Sequence, residues 1–210
     1  MTIRVALVDD HPIVIGGLEA ALGSIDDVEV VDRGGTVADG RRILARDDVD
    51  VLLLDVRLPD GTGIELLAES TREDGPAVVI LSSFETSQYV AAALRFGAMG
   101  FLLKTAPLDE LLAAIRRVAA GEPAFTVEQL RQGRAGVVAL TQREREVLRL
   151  LLEGRSNDEI GRTIQAARKT VEKHLLHMFG RFGVSSRTEL AIRAEREGWL
   201  DVPPEGQGGS

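Results

Sequence analysis

Short apolar runs alternate with amphipathic stretches through the first 120 residues of the chain. Ile3–Val8, Val28–Asp32, Val51–Leu54, Ala77–Leu81 and Gly100–Leu103 read as strands. Three of them are near-continuous in Val, Leu and Ile, the pattern of parallel strands buried on both faces. Between them Pro12–Leu22, Val37–Arg46, Gly63–Ser70, Glu85–Phe96 and Pro107–Ala120 read as helices. Strands alternating with helices predict an α/β domain over 1–120, a doubly wound five-stranded parallel sheet. Right-handed crossovers then bring active residues to the carboxyl ends of the strands.

The pattern changes after Gly121-Glu122-Pro123. Residues 121–137 lack a long apolar stripe and read as a linker with room for one short helix. From 138 to 200 the chain reads as an all-α domain. Thr141 with Glu144, and Ser156 with Glu159, have the spacing of capping boxes, so helices run to about Glu153 and Ile164. A third helix covers Arg168–Phe182 and a fourth Ser186–Gly198. Residues 201–210, rich in Gly and Pro, read as a frayed tail.

Charge follows the same division. Residues 1–120 hold 11 basic and 20 acidic side chains, a net of −9, whereas 138–200 hold 12 and 9, a net of +3. An acidic half and a basic half suggest a cation site in the first and a polyanion partner in the second. The hydrophobic content of 44% is enough for real cores. No apolar stretch reaches the roughly 20 residues of a membrane span, and the N-terminus runs into a strand with no leader pattern. With no cysteine in the chain, disulfides and thiolate metal sites are excluded, and a cytoplasmic location is compatible.

Asp9 and Asp10 follow the first strand and Asp55 the third. In a doubly wound sheet these ends are neighbours, so the acids should converge and call for a hard cation such as Mg²⁺. A carboxylate beside such a cation can act as a nucleophile toward phosphorus. Ser82 ends the fourth strand with a hydroxyl and Lys104 the fifth with a cation, completing a phosphoryl-accepting pocket. In the second domain Val171, Leu175, Met178 and Phe182 form one apolar stripe on the third helix. The opposite face presents Lys169, Lys173, Leu176, His177 and Gly180, with Arg168 at the start and Glu172 on the flank. A basic helix after a short helix and tight turn suits a DNA major groove.

Val-Asp-Asp-His-Pro at 8–12, Leu-Leu-Leu-Asp-Val-Arg-Leu-Pro-Asp-Gly at 52–61, Val-Ile-Leu-Ser at 79–82 and Gly-Ala-Met-Gly-Phe-Leu-Leu-Lys at 97–104 resemble the CheY-like receiver domains of two-component response regulators. Leu-Thr-Gln-Arg-Glu-Arg-Glu-Val-Leu at 140–148, Glu-Gly-Arg-Ser-Asn-Asp-Glu-Ile at 153–160, Lys-Thr-Val-Glu-Lys-His at 169–174 and Val-Ser-Ser-Arg-Thr-Glu-Leu at 184–190 look like the LuxR-type helix-turn-helix. Together they make the chain similar to the NarL/FixJ class. The resemblance implies a transcription factor rather than an enzyme, phosphorylated on Asp55 by a sensor histidine kinase. It implies Mg²⁺ held by Asp10, Asp55 and the backbone carbonyl of Arg57, with Asp9 helping through water. Lys104 would pair with the phosphoryl group, Ser82 would move toward it, and Phe101 takes the place of an aromatic switch residue. Ser156–Ile164 becomes the scaffold helix and Arg168–Phe182 the recognition helix. Arg168, Lys169, Thr170, Glu172, Lys173, Leu176 and His177 become candidate DNA contacts. Ser186–Gly198 becomes a dimerisation helix that offers Leu190, Ala191 and Ala194, with Trp199 either beside them or in the domain core. The implied partners are the kinase, promoter half-sites and a second copy of the chain, with RNA polymerase a further candidate and no membrane.

Three departures stand out. Ala167 replaces the Ser that usually caps the recognition helix, Glu172 stands where Lys is common, and Gly180 stands within the helix where a better helix former is usual. Two other functions share parts of the pattern. One is a regulator of the same fold controlled by a ligand or partner without phosphorylation; the intact set of acids, hydroxyl and lysine speaks against it. The other is a Mg²⁺-dependent phosphohydrolase similar to the haloacid dehalogenase group. Those enzymes carry two acids two apart after the first strand, whereas Asp9 and Asp10 are adjacent here.

Overall fold

A computed structural model describes residues 2–70, 75–134 and 136–203. They divide into two units: Met1–Val137 with Asp201–Pro203, and Val138–Leu200.

The first unit is built on five parallel strands, β1 (Ile3–Val8), β2 (Val28–Gly34), β3 (Val51–Asp55), β6 (Ala77–Ser82) and β7 (Gly100–Leu103), in the order β2-β1-β3-β6-β7. The order doubles back at β1, so the carboxyl ends of β1 and β3 lie side by side, with Val8 paired to Leu54. Alternate residues face opposite layers. Ala6, Val8, Leu52, Leu54, Ile80 and Phe101 pack into one core. Val5, Leu7, Val51, Leu53, Val79 and Leu102 pack into the other. Burial on both faces is why these strands are almost wholly apolar.

Helices α1 (Pro12–Leu22), α2 (Val37–Leu44), α3 (Gly63–Glu69), α4 (Ser87–Arg95) and α5 (Leu108–Ala119) cover the sheet. Their expected starts hold to within two residues, because the caps are local: Thr36, Thr62 and Thr86 each accept a backbone N–H at the helix start. An unanticipated hairpin, β4 (Arg57–Leu58) with β5 (Gly61–Thr62), follows Asp55. The linker contains α6 (Val127–Gly133), and Ala124 donates its N–H to Met99 O at 2.7 Å beside β7.

The frayed tail expected from 201 needs correction at its start. Val202 is fully buried in a core cluster of the first unit, and the Asp201 carboxylate accepts from Arg57 Nε at 3.1 Å and from the Tyr89 hydroxyl. Residues 204–210 lie outside the described residues.

The second unit packs α7 (Gln142–Leu152), α8 (Asn157–Thr163), α9 (Arg168–Phe182) and α10 (Arg187–Glu197) around Val147, Leu148, Ile160, Val171, Leu175, Met178 and Leu190. Both capping boxes form as read, on α7 and α8. Trp199 is 1% exposed and tilts against Phe182 at 4.3 Å, so it plugs the domain core. Among the described residues no helix is long and apolar enough to cross a membrane.

Candidate phosphoryl-accepting and DNA-binding sites

The strand ends bring Asp9, Asp10 and Asp55 together, and ligand atoms of these three and His11 lie within 4.8 Å of one another. Asp9 and Asp55 are buried and Asp10 is exposed at the rim. Lys104 Nζ reaches back from the end of β7 between the two buried acids, 2.7 Å from Asp55 Oδ2 and 2.6 Å from Asp9 Oδ2. Burial pushes the Asp55 carboxyl above its usual range, and the nearby Asp9 charge adds to this; the Lys104 ion pair offsets only part. Burial works against the charge on Lys104 too, but its bonds to the two carboxylates prevail and raise its pKa.

Several neighbours fix this geometry. Gly63 opens α3 directly against Asp55: a Cβ there would lie 2.1 Å from the Asp55 carbonyl oxygen, so the position tolerates no side chain. Asp60 accepts from Val37 N at 2.7 Å and Ala38 N at 3.2 Å, joining the loop after Asp55 to the start of α2. Asp9 Oδ2 is buried and has an ion pair but no directed hydrogen bond. A buried carboxylate oxygen held only by an ion pair, beside the Asp10 and Asp55 carboxylates at a strand-end crevice, fits a hard divalent cation. A cleft of about 690 Å³ lined by Asp10, Pro12, Glu19, Arg33 and Pro59 opens beside the cluster.

Ser82 and Phe101 are each placed by the sheet. Ser82, 2% exposed, ends β6 and gives its hydroxyl to Phe84 O at 2.8 Å while accepting from Phe84 N at 3.1 Å. Phe101 pairs with Ile80 in register and is wholly buried.

In the second unit α9 buries Val171, Leu175 and Met178 and exposes Arg168, Lys169, Thr170, Lys173, Leu176 and His177. The helix begins at Ala167 without a side-chain cap, as its sequence requires. Glu172 is engaged: Arg168 Nε donates to its Oε1 at 2.8 Å, and Arg168 also pairs with Asp158 of α8 at 3.2 Å. These two carboxylates raise the Arg168 pKa, the Glu172 bond most. His177 is exposed, yet its Nδ1 lies 3.0 Å from Oε1 of the buried Glu144, which Arg181 also approaches at 3.3 Å. Glu144 thus binds the start of α7 to the face of α9.

The expected dimer residues require correction. Leu190 and Ala194 are 0% and 2% exposed, and Ala191 packs against the same core. The apolar stripe read on α10 is the side that holds the helix to α7 and α9. Its outward apolar residue is Ile192, 62% exposed. Arg187, also unassigned by the sequence, donates from α10 to Asn157 Oδ1 at the start of α8, at 3.1 Å. Its burial lowers its pKa. His11 and Asp60 lie within the quoted motifs, but nothing in their spacing showed what they touch.

An acidic crevice at the strand ends of a doubly wound sheet, followed in the chain by a helix-turn-helix unit, defines a protein with a receiver-type domain and a DNA-binding domain. Residues 5–116 match the response regulator receiver domain, and 138–194 match the bacterial regulatory proteins of the luxR family. The transcriptional regulatory protein LiaR of Bacillus subtilis (strain 168) is 34% identical over 205 residues, covering 92% of this chain and 97% of LiaR. Among solved structures, the response regulator ChrA of a heme-sensing two-component system is 32% identical at a TM-score of 0.56, covering 94% of this chain and 98% of that one. A two-component response regulator RcsB–DNA complex is 26% identical at a TM-score of 0.61, covering 93% and 99%. The chain belongs to the response regulators that join a receiver domain to a LuxR-type DNA-binding domain and regulate transcription.

Proposed function

We propose that Asp55 is the phosphoacceptor of this regulator and that its phosphorylation by a sensor histidine kinase controls dimerisation and promoter binding. The observation that carries the reading is Lys104 set between the buried Asp9 and Asp55 at the strand ends. A carboxylate oxygen of Asp55 would bond to phosphorus as the bond from phosphorus to the donor nitrogen or oxygen breaks. Lys104 would follow the charge onto the phosphoryl oxygens and Ser82 would turn from Phe84 to donate to one of them. Asp10, Asp55 and the Arg57 carbonyl would hold Mg²⁺, with Asp9 acting through water. The ion supplies charge neutralisation on the phosphoryl oxygens. Phe101 would adjust its packing as the Ser82 loop moves.

DNA contact is assigned to Arg168, Lys169, Thr170, Glu172, Lys173, Leu176 and His177 on the open face of α9; the RcsB neighbour solved on DNA supports it. A second copy would meet the outward face of α10, around Ile192 with Glu189, Arg193 and Arg196. With a two-fold axis near Ile192, Glu189 of each copy would come opposite Arg196 of the other, the self-complementarity that an isologous contact needs. Action on promoters under a kinase's control would require the protein to work in the cytoplasm. Phosphotransfer from a cognate kinase, or labelling by acetyl phosphate with Mg²⁺, tests the central step. Stoichiometric labelling of wild type and none of Asp55→Asn is expected; equal labelling of both overturns it.

A further inference from the structure

Gln129 is a polar residue on a seven-residue linker helix, where solvent exposure is the ordinary expectation. It is instead 3% exposed. Both ends of its carboxamide are engaged. Oε1 accepts from Thr126 N at 2.9 Å to close the cap of α6, so Nε2 is the end that points inward. That Nε2 donates to Phe101 O at 3.2 Å and to Glu85 Oε2 at 3.1 Å. Nearby, Gly133 sits against α4 so closely that a Cβ would lie 2.2 Å from Leu94 Cδ1. The linker helix is therefore seated on the receiver, and its one buried polar side chain joins two places. One is the backbone of the strand carrying Phe101. The other is the loop that leads from Ser82 into α4.

The Ser82 loop has its own lock. Ser82 Oγ both gives to and accepts from Phe84, so the hydroxyl turns toward Asp55 only by breaking both of its bonds to the loop. Glu85, the next residue, is the one that Gln129 holds. We propose that Gln129 is a positioning residue that clamps the Ser82–Glu85 loop in its resting arrangement and so couples the linker helix to phosphorylation of Asp55. The bond to Glu85 exists only while the loop is at rest, so reorganisation of the loop breaks it. By reciprocity, anything that moves α6 must also change how readily the loop moves. Removing the hydrogen bond from buried Gln129 to the exposed Glu85 carboxylate is worth about threefold to tenfold in such an equilibrium.

This inference rests on the reading of Asp55 as phosphoacceptor, and two measurements on the full chain separate the two. The first is the rate of labelling by limiting acetyl phosphate with Mg²⁺, compared for wild type, Gln129→Leu, Glu85→Leu, the double variant and Glu85→Gln. Gln129→Leu and Glu85→Leu are each expected to label about threefold to tenfold faster than wild type, and the double variant no faster than either. Glu85→Gln keeps an acceptor for Nε2 and is expected to label at the wild-type rate. Equal rates throughout, or a double variant whose gain is the product of the single gains, overturn the clamp. The second measurement is amide hydrogen exchange at residues 83–86 in unlabelled protein, which does not depend on phosphorylation. Faster exchange there in Gln129→Leu and Glu85→Leu, with the strand amides still protected, is the expected result. Unchanged exchange overturns the clamp even if Asp55 labels normally. Failure of the wild type to label while exchange still accelerates overturns the phosphoacceptor reading and leaves the clamp standing.

Discussion

Glu172 offers the sharpest test of the DNA-binding face, because the structure shows what its carboxylate does in the free protein. Arg168 Nε donates to it across one helical turn at 2.8 Å, and Asp158 holds the same guanidinium from α8. Glu172→Lys removes a negative charge and adds a positive one, a swing of two per protomer, and frees Arg168 from one of its two carboxylates. The stability cost is small. Solvent screens both the lost i,i+4 pair and the new like-charge pair at this exposed position, so the helix stays folded. The binding gain is larger. The new lysine and the released Arg168 add one to two phosphate contacts per protomer, each worth about 0.9 in the slope of log K against log salt. For a dimer the slope on random duplex should steepen by about 2 to 4. A fourfold dilution of salt then favours the variant over wild type by about tenfold or more. On the true operator the outcome divides. A carboxylate that only repels phosphate gives tighter operator binding as well. One that accepts from a cytosine amino group gives an operator weakened by about 1–3 kcal/mol while random duplex tightens. Titrations of both proteins on both duplexes at two salt concentrations measure this. Unchanged affinity and slope on both would refute the reasoning and leave Glu172 a solvated partner of Arg168.

Four further outcomes follow from other parts of the second unit. Glu144 is held below its usual carboxylate range: burial pushes it up, but the Thr141 N–H and hydroxyl, His177 and Arg181 outweigh that. A depressed carboxyl contributes stability above its unfolded value of 4.5 that is lost as pH falls through the folded one. Glu144→Gln should therefore lower the melting temperature at neutral pH and flatten its acid dependence; parallel pH profiles would contradict this. Gly180→Ala should stabilise the unit by about 0.8–1 kcal/mol in urea unfolding, since an added Cβ meets nothing within 4 Å. A loss of stability would show that the helix needs glycine there. Ile192→Glu should abolish dimer formation by the phosphorylated protein in sedimentation while the monomer melts normally. Leu190→Ala, by contrast, should cost about 2–5 kcal/mol by opening the core.

The parallel sheet, the helix starts and the meeting of Asp9, Asp10, Asp55 and Lys104 were legible because each depends on short-range information. Apolar runs set the strands, hydroxyl caps set the helix starts, and the alternation of strands and helices carries every strand's carboxyl end to one edge. What sequence could not supply is which of several equally apolar or polar residues faces which neighbour. On α10, Leu190, Ala194 and Ile192 are all apolar, and only packing against α7 and α9 decided that the first two are core and the third is outward. Gln129 reads as a surface amide until a fold joins it to Phe101 and Glu85, 28 and 44 residues away. Glu144 reads as a capping residue alone, and tertiary structure adds His177 and Arg181 from a helix 33 and 37 residues on. Gly63 reads as the start of a helix, and only the approach of its backbone to the Asp55 carbonyl shows why no side chain fits. Local propensity and periodicity act over a few residues and are written into the chain directly. Burial and long-range hydrogen bonds arise from contacts between distant segments, so they exist only once the chain has folded.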